Sequence, residues 1–409
     1  MRILLARDKQ YGMKVLIAGA GIGGITAALC CLHFGHEVTV LEQATELGEV
    51  GAGIQLPPNA MKVFEALGID TLLTENAFQP EALEARMGIS GRSIFTIPLA
   101  VQSLQRWRAP YLHIHRADYI EALRQALHKS APQALKLGTR VKHFTHQNEQ
   151  VKVTLEDGRQ ISGDVMIGAD GIKSTIRKQM LGPDKVDFTG NLAWRAVVPM
   201  SALGPDAPSP TACVWMGGGR HAVTYRLRRG DLVNFVGVVE RTDWTHESWT
   251  EIGTQEEALQ DFDGWHNTIT TLIKAVKPGT LYRWALFDRA PFLKWCEGNV
   301  TLLGDAAHPM LPFLAQGAAM AVEDSWVLAR ELAQKGRPIE ASLLKYQATR
   351  QARTARVQAA SRANMKTFHQ RTKTGQIKTY GPMWLASKLA PSIVHKRMDW
   401  LYGFDVTKD

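Results

Sequence analysis

The sequence predicts an α/β protein: a Rossmann-like nucleotide-binding domain interleaved with a mostly β domain, followed by a C-terminal helical segment. Three observations carry that expectation. Gly19-Ala20-Gly21-Ile22-Gly23-Gly24 follows a short β-branched strand and opens a helix. Two more glycine-marked strand ends recur far along the chain, Gly168-Ala169-Asp170-Gly171 and Gly304-Asp305-Ala306-Ala307-His308-Pro309. Between these two lies a region of alternating apolar residues and hairpin turns.

The elements follow in order. Lys14 to Ala18 reads as a strand, Ile22 to Phe34 as a helix ending at Gly35, and Val38 to Leu41 as the next strand. This strand, glycine turn, helix and strand form the context a dinucleotide fingerprint requires. Asn59 to Leu67 and Asp118 to His128 read as helices. Val151 to Leu155 and Gln160 to Ile167 flank the turn signal Asp157-Gly158. A second hairpin runs from His221 to Leu227, turns at Arg229-Gly230-Asp231 and returns from Leu232 to Val239. Leu203 to Pro210 is a loop, Val300 to Leu303 a strand, and Gly317 to Leu332 a helix. A long helical pattern spans Glu340 to Arg371. The expected division is 13–185 and 282–340 for the nucleotide-binding domain, with 86–104 contributing to the second domain. That second domain is 186–281, and the helical region is 341–409.

Composition sets the broad class. With 409 residues, 21% of them charged and 45% hydrophobic, the chain fits a globular protein of two or three domains. Val300 to Val322 is the most apolar stretch, but it carries Asp305 and His308, so it reads as core and site and not as a membrane span. The opening Met1 to Asp8 has too short an apolar run for a signal peptide, and residues 1–12 read as an extension before the fold. A cytoplasmic enzyme, monomeric or homodimeric, is expected. Cys30, Cys31, Cys213 and Cys296 form no metal-ligand spacing, so no metal is expected and Cys30 and Cys31 read as buried small hydrophobes. The net charge is +9, concentrated between Lys345 and Lys396 where acids are almost lacking. A solvated amphipathic helix accounts for that run better than nucleic-acid binding, since no nucleic-acid motif accompanies it. A basic surface would also steer anionic aromatic acids.

The motifs give the chemistry. Gly19 allows a tight turn, Gly21 lets the backbone approach a pyrophosphate, and Gly24, beside Gly23, permits close helix packing. The helix N-terminus then directs N–H groups and positive dipole at phosphate. Glu42, with Gln43 after it, ends the second strand eighteen residues beyond Gly24, where a carboxylate can bind a ribose diol. That fingerprint serves FAD or NAD. The other two motifs favour FAD: Asp305 is placed to bind ribityl hydroxyls, and the helix start at Gly317-Ala318 can stabilise charge on a reduced flavin. An NAD-dependent dehydrogenase is the remote alternative, and it leaves Asp170 and Asp305 without a role.

The stretches GADGIKSTIR (168–177), GDAAHPMLPFLAQGAAMAVED (304–324) and IHRADYIEAL (114–123) resemble motifs of the class A FAD-dependent aromatic hydroxylases, which share the p-hydroxybenzoate hydroxylase fold. The resemblance covers Met13 to about Arg362. GAGIQLPPNAMKVFEALGI (51–69) and AHPMLPFLAQG most resemble the salicylate hydroxylase branch. The resemblance implies FAD with NADH or NADPH as transient reductant, O2 as co-substrate, and Gly53, Arg116 and Asp170 as further cofactor contacts. NADH is expected to serve at least as well as NADPH. It also implies a pocket of Gln55, His221, Tyr225, Pro309, Leu311, Pro312 and Phe313.

In that branch a His and a Tyr four residues apart meet substrate, and here they are His221 and Tyr225. Strand periodicity puts both on one face. His221 can take a phenolic proton, and Tyr225 can hydrogen-bond the phenol or carboxylate. An ordinary half-buried strand with a packed Tyr and a satisfied His is the other reading. Within the resemblance, Gln55 and Phe313 stand where hydroxynicotinate enzymes carry His, and Pro312 where 3-hydroxybenzoate enzymes carry Gln, which counts against both substrates and points to a simple benzenoid ring. Salicylate, converted to catechol, is the leading expectation. Hydroxybenzoate, hydroxynicotinate and urate-like substrates are the alternatives.

Overall fold

The computed structural model describes residues 12–48, 53–183, 185–241 and 251–408. Residues 1–11 of the expected N-terminal extension lie outside them.

Val15, Leu16 and Ile17 have no exposure, as a strand covered on both faces demands. They belong to a six-stranded sheet ordered Cys296–Glu297, Val300–Leu302, Val165–Gly168, Lys14–Ala18, Glu37–Leu41, Leu135–Lys136. All its pairings are parallel except the Cys296–Glu297 hairpin edge. Three neighbouring strands therefore end, side by side, in the three glycine motifs. Ligand sites form at such carboxyl ends of open α/β sheets. The helices Ile22–His33 and Gly317–Leu332 cover this sheet, and Cys30 and Cys31, on the first of them, are buried as expected.

The reading of Gln160 to Ile167 as one strand needs correction. Gln160–Gly163 pairs antiparallel with Gln150–Leu155, while Val165–Gly168 enters the parallel sheet. Asp164 makes the switch: its N–H donates to Lys14 O at 2.8 Å and its carboxylate accepts from Lys14 N–H at 2.7 Å.

The second sheet has eight strands, in the order Glu251–Ile252, Tyr282–Asp288, Asp187–Pro199, Leu232–Glu240, Arg220–Leu227, Ala212–Gly217, Ala82–Met87, Ser93–Pro98. One face packs Trp194, Trp215, Phe235, Phe262 and Trp265 beneath the helices Gln255–Asp261 and Asn267–Lys274. The other face meets Gly53 through Tyr225 and Asn234, and Phe313 through His221.

The helix Ile339–Phe368 is amphipathic and keeps the expected solvated face, but part of its charge turns inward. It buries Arg350, Thr354, Gln358 and Ser361 on one side. Its inward face mixes Leu343, Tyr346 and Val357 with these polar residues, which blurs the apolar stripe in its sequence. The partners of that face are the acids Glu323 and Asp324 and the backbone carbonyls of residues 309–313.

Candidate active site

The glycine turn is tight for reasons visible in its contacts. Gly19 sits at φ +99°, and a Cβ there would lie 2.5 Å from Ala169 O. A Cβ on Gly24 would run into Gly19 O, and one on Gly23 would come 2.9 Å from Leu303. Gly21 is different: a Cβ there meets nothing within 4 Å. Its open side lies at the start of the Ile22–His33 helix, whose first N–H groups have no side-chain cap. Glu42 closes the loop, accepting from Ala20 N–H at 2.7 Å and from Ala44 N–H at 2.8 Å. Gln43 is exposed beside it.

Asp170 accepts from the Ser174 hydroxyl at 2.5 Å and from the N–H groups of Thr175 and Ile176 at 2.7 and 3.2 Å. Its carboxylate thus shapes the loop that follows the strand. Arg177 then donates to Ile172 O at 2.6 Å and to Ala306 O at 3.0 Å, tying the second motif to the third. Asp305 opens onto the cleft between the motifs and is exposed there. Its surroundings are still close enough for desolvation to raise its pKa, against the attraction of His308, Arg116, Arg177 and Arg289. Gly317 lies within 3.8 Å of that carboxylate by the same Cβ measure, and Ala318 follows at the helix start.

The pocket side is built on the eight-stranded sheet. His221, Val223 and Tyr225 alternate onto the face that looks at the cleft, with Val238, Val236 and Asn234 opposite them. His221 is 2% exposed, and its ring lies 5.3 Å from that of Phe313. Leu311 and Phe313 join Trp284, Leu286, Val238 and Ala193 in one apolar cluster, and Pro312 is exposed. Tyr225 packs against Gly53, where any side chain would collide with its ring, and its own ring centroid is 4.7 Å from that of His113. Burial raises the Tyr225 hydroxyl pKa against the pull of Arg195, so it remains a proton donor. Gln55 pairs across strands with His113 and accepts from the Tyr111 hydroxyl at 2.5 Å.

Several neighbours were not foreseen. Arg195 shares the pocket face and lies over the Trp284 ring, 5.0 Å from its centroid. Its only sequence signal is an alternating charge in an apolar strand. Gln358, Ser361 and Asn364 come from the long helix, and His369 caps its C-terminus. Gln358 donates to Pro309 O at 2.8 Å, Ser361 to Leu311 O at 2.7 Å, and Asn364 to Phe313 O at 2.9 Å. Spaced three apart, these residues hold the 309–313 loop from one helix face.

A family model described as "FAD binding domain" matches residues 12–361. The chain belongs to that family. It is 37% identical over 394 residues to 3-hydroxybenzoate 6-hydroxylase 1 of Aquipseudomonas alcaligenes, covering 95% of this chain and 97% of the relative. Among solved structures it is similar to Klebsiella pneumoniae HpxO complexed with FAD and uric acid, with TM-score 0.84, 26% identity, and 96% and 97% of the two chains covered. A salicylate hydroxylase substrate complex gives TM-score 0.81 at 26% identity, with 98% and 97% covered. The protein is a class A FAD-dependent aromatic hydroxylase.

The residues of this hydroxylase fit FAD. The unobstructed Gly21, the uncapped helix start, the strand-end Glu42 and the cleft-facing Asp305 supply what pyrophosphate, ribose and ribityl groups require. Gly21→Ala is therefore expected to leave the fold intact while weakening FAD retention, because its methyl would occupy the phosphate side. Gly24→Ala should lower stability by about 1–3 kcal/mol through overpacking. Flavin fluorescence released on dilution, set beside thermal denaturation, separates the two effects. Equal loss of stability in both variants would contradict this division.

Proposed function

We propose that this enzyme uses NAD(P)H and O2 to hydroxylate a monocyclic hydroxybenzoate, with 3-hydroxybenzoate ahead of salicylate. The placement of His221 and Arg195 on one apolar sheet face carries the reading. Bound FAD, once reduced, supplies an electrophilic oxygen atom derived from O2. An electrophile needs an electron-rich ring, and a phenolate is richer than a phenol. His221, neutral because burial and the adjacent His369 hold its pKa well below the ordinary value, can accept the phenolic proton. Trp284, Leu311 and Phe313 enclose the ring, and Arg195 with Tyr225 can hold the carboxylate.

His221 and Arg195 stand two strands and two residues apart, about 12 Å between Cα atoms on sheet geometry. Two separated anchors suit a ring whose hydroxyl and carboxylate are also separated. Salicylate places those groups on adjacent carbons, where the hydroxyl donates a hydrogen bond to the carboxylate. The relative that shares 37% identity is named for 3-hydroxybenzoate, which agrees with this order. A urate-like heterocycle is the second reading, favoured by the likeness to HpxO with uric acid.

Stopped-flow reduction of the FAD-loaded enzyme by NADH and by NADPH tests both substrate and reductant. The panel is 3-hydroxybenzoate, salicylate, 6-hydroxynicotinate and urate. 3-Hydroxybenzoate should accelerate flavin reduction most and appear as a dihydroxybenzoate. Catechol from salicylate at a higher coupled rate would reverse the order, and oxygen insertion into urate alone would support the second reading.

A further inference from the structure

His221 is not an isolated base. Its Nδ1 lies 2.7 Å from His369 Nε2, and His369 Nδ1 lies 2.9 Å from Glu240 Oε1. Glu240 is half-buried and also meets the exposed guanidinium of Arg371. It lines a cavity of about 260 Å3 together with Arg220, Asp261 and Arg371. The chain of contacts thus runs from the aromatic pocket to a charged surface site, and its first link joins residues 148 apart in sequence.

The direction of each hydrogen bond follows from its outer end. Burial alone would raise the Glu240 carboxyl, but Arg371 and His369 overcome that and hold it below the ordinary range, so it is ionised and can only accept. His369 must then carry its proton on Nδ1. A neutral His369 therefore accepts at Nε2, and His221 must donate from Nδ1. That leaves the lone pair of His221 on Nε2, at the opposite edge of the ring. One surface carboxylate thereby fixes the tautomer of a base it does not touch. Phe313 and Phe368 hold the His221 ring at 5.3 and 5.1 Å between centroids, so the alignment has packing on its other sides.

We propose that His369 and Glu240 are positioning residues that form a proton relay between His221 and solvent. The proposal rests on His221 being the substrate's base. As the phenol O–H bond breaks, its proton goes to His221 Nε2. The Nδ1 proton of His221 passes to His369 Nε2, and the Nδ1 proton of His369 passes to Glu240, which gives it to water. Each ring gains one proton and loses one, so no imidazolium persists in a site that disfavours charge. The reverse transit reprotonates the product oxygen and restores both tautomers. The charged groups facing this chain are Arg371, Arg220 and Asp261 around Glu240. The contacts described for His221 are His369 and the aromatic rings of Phe313 and Phe368.

The test uses FAD-loaded enzyme and 3-hydroxy-4-nitrobenzoate, a probe whose phenolate is coloured. Stopped-flow mixing with a pH-indicator dye follows phenolate formation and proton release together. Glu240→Gln, which keeps shape and removes the ionised acceptor, should slow both by about tenfold or more, up to the roughly 10²-fold lower end for full loss of acid–base assistance. His369→Ala should do the same, and added imidazole should restore its rate, which a merely structural role would not produce. Retained flavin absorbance shows that each variant is folded. Wild-type rates in Glu240→Gln and His369→Ala, with His221→Ala alone slow, would overturn the relay and leave the base in place. A wild-type rate in His221→Ala would overturn both.

Discussion

Replacing Arg350 by methionine is expected to cost about 3–5 kcal/mol of folding stability, the range for breaking a buried ion pair from one side. Arg350 is 1% exposed and lies between two acids with no exposure, 2.7 Å from Glu323 and 2.7 Å from Asp324. Glu323 keeps Arg353, at 2.6 Å, and Asn59, at 2.7 Å. Among the described residues, Asp324 keeps the close contact with His308 and the Gly304 N–H at 3.3 Å. Methionine fills much of the arginine volume, so the loss is chiefly an uncompensated charge and not a cavity.

Burial pushes both acids up, but His308, Arg350 and Arg353 outweigh it and hold each carboxyl below its ordinary range. In the native chain their contribution is therefore present above the unfolded carboxylate pKa and is lost as pH falls through the folded value. Of His308 and Arg350, only His308 is left in the variant to oppose burial at Asp324, and the expected result is that burial prevails and its folded pKa rises. Its contribution then takes the opposite sign, favourable below the unfolded pKa and lost as pH climbs through the folded one. The stability gap between native enzyme and Arg350→Met should therefore widen from pH 5 to pH 8 in urea unfolding. A gap that is constant with pH would show that the charge is not its source. Arg350→Lys should cost less, since it keeps the charge and loses only the fork geometry.

The same cluster shows where sequence reading reaches its limit. The three glycine motifs were legible because each needs a local strand end and a backbone that only glycine tolerates, as at Gly19 and Gly24. His221 and Tyr225 could be placed on one face because a strand has period two. His369 could not be joined to His221, nor Gln358 to Pro309, because nothing local encodes contacts made by a helix returning from the far end of the chain. The charge between Lys345 and Lys396 misled for a related reason. Arg350, Arg353 and Arg362 look like a solvated run until Glu323, Asp324 and Asp288 are brought against them. Arg195 was hidden differently: one charged residue on a sheet face reads as surface until the cleft over it is known.

His221→Ala is expected to reduce coupled hydroxylation by about 10²–10⁴-fold, the range for losing a general base, while FAD stays bound. The ring contacts described for the side chain are with Phe313, Phe368 and His369, so cofactor retention should not report its loss. The pH profile separates a base from a packing residue. Burial holds the His221 pKa well below 6.5, so the native enzyme keeps a neutral base at pH 6 and its rate should fall only in more acidic solution. In His221→Ala the phenol must ionise by itself, and the residual rate should climb with pH toward the phenol's own pKa. His221→Gln, which fills the space and can bond His369 but cannot accept a phenolic proton to any extent, should behave as the alanine variant does. If glutamine instead restored the native rate and profile, His221 would be holding the ring cluster and not the proton, and the hydroxylation would need its base elsewhere.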